Sequence, residues 1–178
     1  MLKAAARDVK ERWAVVEDEN LLLALLNSAP VIDGRPTDAL TGEGAADWAR
    51  ALGGSGTSEE LARLREVRDA LHRLVRGTSS DVGPLAAALY YTLRRPAVSA
   101  AGVTWHLETT PDEELAARAV LAWSRVITEL PRRLRPCANE ECNLFLVDHS
   151  RPGTARWCSM AACGNRMKAR THARKQRG

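Results

Sequence analysis

The sequence predicts a mainly α-helical protein that ends in a small cysteine-rich module. Two observations predict this fold class: apolar residues recur every three or four positions through most of residues 1–130, and all four cysteines lie in the last quarter of the 178-residue chain. Hydrophobic residues make up 45% of the sequence, which is enough for a packed core. We therefore expect a helical domain over residues 1–130 and a smaller unit over residues 131–178.

The first helices are placed by apolar spacing and by turn residues. Residues 4–26 carry a helical apolar stripe, with a break expected around Asp18–Asn20, and a turn-rich loop separates them from a short helix over residues 45–52. The clearest helix start is Thr57-Ser58-Glu59-Glu60, where a hydroxyl can cap free amides and acidic residues favour the positive end of the helix dipole. The apolar face that follows, over residues 61–75, continues up to Gly77.

A second group of elements follows Pro84. This proline fits the first turn of a helix over residues 85–93, where a missing amide costs no hydrogen bond. Residues 97–99 and 103–107 are expected to form a small β-hairpin, since apolar and polar residues alternate in the second arm. A long helix begins after Thr110, and its expected core positions are Leu115, Ala119, Ala122 or Trp123, Val126, Ile127 and Leu130.

The four cysteines form two pairs of equal internal spacing, Cys137 with Cys142 and Cys158 with Cys163. Two such pairs can fold back so that four thiolates meet at one tetrahedral ion, and this ligand set favours zinc. The alternative is two disulfides, which need an oxidising compartment. The N-terminal residues lack the features of a signal peptide, and no apolar run approaches the ~18–20 residues of a membrane span. We therefore expect a cytoplasmic protein with one structural zinc ion and no membrane partner.

Charge is divided unevenly along the chain. Residues 131–178 contain eleven Lys or Arg and three acidic residues, a net charge of +8, whereas residues 1–130 have a net charge of −4. Four arginines fall within about 80° of one another on a predicted terminal helix, namely Arg166, Arg170, Arg174 and Arg177. The alternative interpretation is a solvated, charged terminus. Because guanidinium groups bind phosphates and guanine edges, the candidates for nucleic-acid contact are these four with Arg151, Arg156, Lys168 and Lys175.

The residues between the cysteines predict a treble-clef-like zinc finger that ends in this basic helix. Residues 145–147 suit a short strand, and Ser159 is placed to cap a helix whose first turn contains Cys163. Asp148 is a candidate ion-pair partner of Arg166, and this pairing is the alternative to a direct contact between Arg166 and nucleic acid.

These motifs resemble two known families. The segment from Cys137 to Lys168 resembles the CGNR zinc finger, named after the residues that are here Cys163-Gly164-Asn165-Arg166. The preceding body is similar to the ABATE domain of bacterial stress-induced transcription regulators, on the residues Leu23-Ala24-Leu25-Leu26-Asn27-Ser28, Asp38-Ala39-Leu40 and Trp48. In that family the position of Ser28 is more often threonine. The resemblance implies DNA-linked regulation.

We therefore expect a zinc-dependent, DNA-binding transcription regulator that responds to stress and is not an enzyme. Its expected partners are double-stranded DNA, a small-molecule or protein effector at the N-terminal domain, and a second copy in a homodimer. The alternatives are an adaptor that binds protein or RNA, and a nuclease of the HNH type that uses His149 and His172. The nuclease is disfavoured, because Gly164 stands where such enzymes present a histidine and four thiolates close the metal site.

Overall fold

A computed structural model describes residues 18–32 and 34–176 of the chain, without the side chains of residues 174 and 175. Within these residues the fold is mainly helical, with small antiparallel sheets of two strands each. The part of the first helix predicted before Asp18, and the predicted contact residue Arg177, lie outside the described residues. The helices are α1 over residues 18–26, α2 Ala45–Ala51, α3 Ser58–Arg76, α4 Gly83–Ala88, α5 Glu114–Glu129 and α6 Asn165–Lys175. The paired strands are β1 Val31–Ile32 with β2 Arg35–Pro36, β3 Leu93–Ser99 with β4 Gly102–Glu108, and β5 Leu134–Pro136 with β6 Phe145–Val147.

Helix α3 begins and ends at residues that the sequence marks clearly. The hydroxyl of Thr57 accepts a hydrogen bond from the Glu60 amide at 3.1 Å, and the Glu60 carboxylate accepts one from the Gly56 amide at 2.7 Å. This arrangement resembles a capping box, which satisfies amide groups that a helix leaves free at its start. Gly77 ends the helix in the left-handed conformation, with φ of 69°, which glycine adopts without steric cost.

One hydrophobic cluster joins helices α1 to α5 and the two short strands β5 and β6. Helices α1, α3 and α5 supply most of its members, because each is apolar along one face. The expected core positions Leu115, Ala119, Ala122 and Val126 of α5 are buried. The prediction for Ile127 was wrong, since 42% of this residue is exposed and Val120 is buried instead.

Three local predictions differ from the structure. Residues 18–20, where the sequence predicts a break, are helical, and α4 ends at Ala88 rather than near residue 93. Leu93 pairs with Glu108 instead, so strand β3 is four residues longer than expected. Helical spacing compares only residues within a few positions of each other. It therefore does not show that residues 93–96 pair with residues 105–108 of the other strand, and this pairing overrides the local helical preference.

The hairpin of β3 and β4 projects from the body as a two-stranded ribbon. Its register places Pro96 opposite Trp105 and Val98 opposite Val103, so one face of the ribbon is apolar. This face is open, with 62% of Trp105 and 82% of Val98 exposed. None of the described helices has the length and apolar composition that a membrane span requires.

Candidate metal centre and nucleic-acid interface

Two local structures bring the four cysteines together. The loop between β5 and β6 carries Cys137 and Cys142, and the Cys137 amide donates to the Leu144 carbonyl at 2.8 Å, which closes the loop. In the second pair, Cys158 precedes a single π-helical turn, Met160–Gly164, and Cys163 lies within that turn, which leads directly into α6. Ser159 caps this turn as predicted, because its hydroxyl accepts a hydrogen bond from the Ala162 amide at 3.0 Å.

The sulfur atoms have the spacing that one tetrahedral ion requires. All four Sγ atoms lie within 4.8 Å of one another, and the Cys142–Cys158 and Cys158–Cys163 Sγ distances are both 3.7 Å. Zinc–sulfur bonds of about 2.3 Å at tetrahedral angles place ligand sulfurs about 3.8 Å apart. A disulfide would instead require about 2.05 Å. The cysteines are unbridged, and together they can bind one zinc ion.

Two N–H groups point at the ligand sulfurs. The side chain of Asn139 donates to Cys163 Sγ at 3.6 Å, and the Cys158 amide donates to Cys137 Sγ at 3.4 Å. Burial raises the pKa of Cys163, but the Asn139 amide and the neighbouring thiols outweigh it and leave the pKa below its ordinary value. Burial and the adjacent thiols raise the pKa of Cys158. A bound cation would offset the repulsion among the four thiolates, because it stabilises their charged forms together.

Asp148 is the buried ionic centre of the zinc finger. Its carboxylate pairs with Arg135 and lies 3.5 Å from Arg133, and it accepts hydrogen bonds from the Ser150 hydroxyl and the Ala155 amide. The Ser150 hydrogen bond, followed by the others, holds the pKa of Asp148 at about 2 despite burial. These contacts connect β6 to β5 and to the following loop.

The predicted pairing of Asp148 with Arg166 was wrong. Strand β5 runs alongside β6, so Arg135 and Arg133 reach the carboxylate, while Arg166 is exposed at the start of α6.

The predicted cationic residues do not share a single environment. A single guanidinium nitrogen of Arg170, Nη2, donates to both carboxylate oxygens of Glu141, at 2.8 and 3.0 Å, and Glu141 lies on the loop between the first two cysteines. Arg156 places its guanidinium 5.3 Å from the centre of the Trp157 ring. Arg151, Arg166 and Lys168 are exposed. The side chains of Arg174 and Lys175, like Arg177, lie outside what the structure describes.

The finger is docked on the helical body through asparagine side chains. Asn27 accepts a hydrogen bond from the Phe145 amide at 2.8 Å and donates to the Phe145 carbonyl at 3.2 Å, so it pairs with β6 as a neighbouring strand would. Asn143 accepts from the Val31 amide at 3.1 Å, and Arg76 donates to the Asn143 carbonyl at 2.8 Å. Phe145 is buried in the body's hydrophobic cluster.

The other motif residues of the body support this docking. Arg68 binds both carboxylate oxygens of Asp38, at 2.6 and 3.0 Å, and donates to the Ser28 hydroxyl at 3.1 Å. This network fixes the end of α1 beside Asn27. The resemblance to the ABATE domain singles out Asn27, Ser28 and Asp38, but it does not reveal that they hold the finger. Asn139, Asn143 and Glu141 were missed, and the position of Asn139 and Glu141 between two cysteines was the available signal.

Two family models match the chain. A model described as "CGNR zinc finger" matches residues 133–176, and the ABATE model, described as "Putative stress-induced transcription regulator", matches residues 19–140. The ABATE match spans more than half of the chain. No curated protein matches the chain significantly.

Proposed function

Because the chain belongs to the ABATE family and ends in a CGNR zinc finger, we propose that it is a stress-responsive transcription regulator that binds double-stranded DNA through the zinc-bound finger. The observation that carries this proposal is the position of α6. The helix follows the turn that holds Cys163, and it presents Arg166, Lys168 and Arg170 at its surface. Zinc would therefore fix the direction of a cationic helix.

The cationic residues proposed to contact DNA are those that the sequence indicates. Phosphate contacts position a protein on DNA, and guanidinium groups can also bind guanine edges. Arg170 would exchange Glu141 for a phosphate, which costs little because both side chains are about half exposed. We also propose a treble-clef-like arrangement, in which the loop between β5 and β6 supplies the first ligand pair and the turn before α6 supplies the second. The proposed contacts are Arg151, Arg156, Arg166, Lys168, Arg170, Arg174, Lys175 and Arg177.

We propose a binding function rather than catalysis. A catalytic zinc site keeps an open position for water or substrate, whereas four cysteine ligands fill a tetrahedral site. His149 Nε2 lies 2.6 Å from Glu19 Oε1, so its described contact is with α1 of the body. This contact disfavours both His149 as a zinc ligand and the HNH-type nuclease.

The helical body, residues 1–130, is proposed to receive an effector, and two copies are proposed to bind an extended DNA site. A groove of about 440 Å³ beside Trp48, Ile32 and Thr37 is the candidate effector site. Its polar members already form hydrogen bonds within the protein, so an effector would contact mainly the apolar residues; these members are Asn27, Ser28, Thr37 and Asp38.

A DNA-binding titration across salt tests this function. We expect the logarithm of affinity to fall with the logarithm of salt at a slope of about −4.5 to −5.5, as five or six phosphate contacts require. Cys158→Ser should lose both zinc and DNA binding, because three thiolates cannot close the site. Arg166→Glu/Lys168→Glu should keep stoichiometric zinc and lose DNA binding.

The matched control is Arg35→Glu/Arg94→Glu, which makes the same charge change at two exposed positions of the body. Equal DNA affinity in the native protein, the serine variant and the finger double variant would refute the proposal. A flat salt response would indicate the protein-binding adaptor instead.

A further inference from the structure

A groove lies beside the metal centre on the other side of α6 from Arg170. It has a volume of about 450 Å³, and its lining includes Arg156, Trp157, Gly164, Met167, Lys168 and Thr171. Measured from Arg166 at about 100° per residue, Met167, Thr171 and Lys168 lie at about 100°, 140° and 200°, whereas Arg170 lies at about 40°. The groove is therefore separate from the arginine face that Glu141 contacts.

The floor of the groove is apolar and depends on a glycine. A Cβ at Gly164 would lie 2.8 Å from the Met160 side chain and 3.3 Å from Trp157 Cδ1. The absence of a side chain lets Trp157 pack against the turn that carries Cys163. Trp157 is partly buried and lines the groove, where the Arg156 guanidinium lies 5.3 Å from the centre of its ring.

The rim of the groove is cationic. Arg156 and Lys168 are exposed residues of its lining, and His172 lies beside them. None of the described residues that line the groove is acidic. Arg170, by contrast, is already paired with a carboxylate. An anionic ligand with an apolar part would fit both the floor and the rim.

We propose that this groove binds one unpaired nucleotide of a nucleic-acid strand, with its base against Trp157 and Met167 and its flanking phosphates on Arg156 and Lys168. A regular duplex presents a convex, phosphate-covered surface whose bases are stacked inside, so it offers nothing planar and apolar to a concave site. An unstacked base does, and aromatic and guanidinium planes bind such bases. The groove volume falls within the range of about 300–1,000 Å³ of small-ligand sites. This inference rests on the proposed function only in taking nucleic acid as the partner.

Oligonucleotide titrations of the full zinc-loaded chain test the inference. The probes are a perfect DNA duplex, the same duplex with one unpaired nucleotide, and single-stranded DNA and RNA. We expect the unpaired nucleotide to raise affinity by about tenfold or more, the effect of stacking one base. Binding of either single strand supports the groove, and the tighter of the two identifies the source of the nucleotide.

Two variants and a control separate the groove from the rest of the finger. Thr171→Phe fills the groove without removing a charge, so it should abolish the tenfold preference and keep zinc. Lys168→Ala removes one phosphate contact but no stacking surface, so it should weaken every probe and keep zinc. Arg166→Ala, on the other side of α6, should weaken all probes equally and keep the preference.

Unchanged preference in Thr171→Phe, or equal affinity for the two duplexes in the native protein, would overturn the inference. If zinc-dependent duplex binding persists in that case, the proposed function stands alone. If no probe binds, both fail.

Discussion

At the scale of single residues, asparagine side chains connect the zinc finger to the helical body. Asn27 is the clearest case, because its amide group satisfies both the N–H and the C=O of Phe145, a residue 118 positions away in sequence. A buried backbone group that loses its partner destabilises a protein more than the net value of one hydrogen bond. The Asn27 side chain therefore stabilises the docking of the zinc finger on the helical body.

Asn27→Ala should lower the free energy of unfolding of the zinc-loaded protein by about 1–3 kcal/mol, since it leaves both backbone groups of Phe145 unpaired. Urea denaturation followed by circular dichroism measures the change. Asn20→Ala is the matched control, because Asn20 lies in the same helix and is exposed. Equal losses in the two variants would show that the Asn27 contact adds nothing to stability.

His72 lies at the same junction. Its Nε2 lies 2.7 Å from the Leu26 carbonyl, so it carries the proton and donates, and its ring packs 4.6 Å from that of Phe145. Burial first, and then nearby arginines, hold the pKa of His72 below 6.5. The charged groups that face it are Arg76, Arg68 and Asp69.

The pKa of His72 is lower in the folded protein than in the unfolded chain. Below about pH 6.5 the unfolded chain therefore binds a proton at His72 more readily than the folded protein does, which favours unfolding. Stability should therefore fall as pH drops from about 7.5 to 5.5, and it should fall less in His72→Gln, which does not titrate. Urea midpoints with zinc content checked at each pH measure this, and His106→Gln on the exposed ribbon is the control. Parallel pH profiles in the native protein and His72→Gln would rule out the effect.

At the scale of elements, the sequence predicted what local chemistry determines. Both ends of α3 were predictable because Thr57 and Gly77 act within one turn of the helix they bound. The metal ligands were predictable because cysteine spacing is a local property with few uses. The single turn that holds Cys163 is a π-helix rather than the start of a regular α-helix, and nothing in the spacing indicated this.

Elements that depend on distant partners were not predictable in the same way. Leu93 was assigned to a helix, but it pairs with Glu108 in the ribbon. The sequence suggests Asp148 as the partner of Arg166, but the pairing of β5 with β6 places Arg135 beside that carboxylate instead. In both cases the strand register determines which residues become neighbours. Register depends on how the whole chain packs, so the local sequence pattern does not reveal it.

At the scale of the whole molecule, the metal module and the helical body share one hydrophobic cluster. Phe145 and Leu134 lie in the cluster that α1, α3 and α5 form, and Arg76 of α3 stacks 4.7 Å from the Phe145 ring centre. Structural zinc supplies about 10–16 kcal/mol to a small module. Since side chains of the zinc finger pack in the hydrophobic cluster of the body, zinc binding should also stabilise the helices of the body.

Removal of zinc should therefore destabilise the body as well as melt α6. We expect a chelator to lower the free energy of unfolding of the helical body by about 3 kcal/mol or more, the combined value of burying Phe145 and of the hydrogen bonds that Asn27 and Asn143 make with their neighbours. Urea denaturation with and without chelator measures the shift. Asn27→Ala should reduce it, because the contact that transmits the effect is already weakened. A body whose urea midpoint is the same with and without zinc, in the native protein, would mean that the finger is merely attached to the helices and not part of their core.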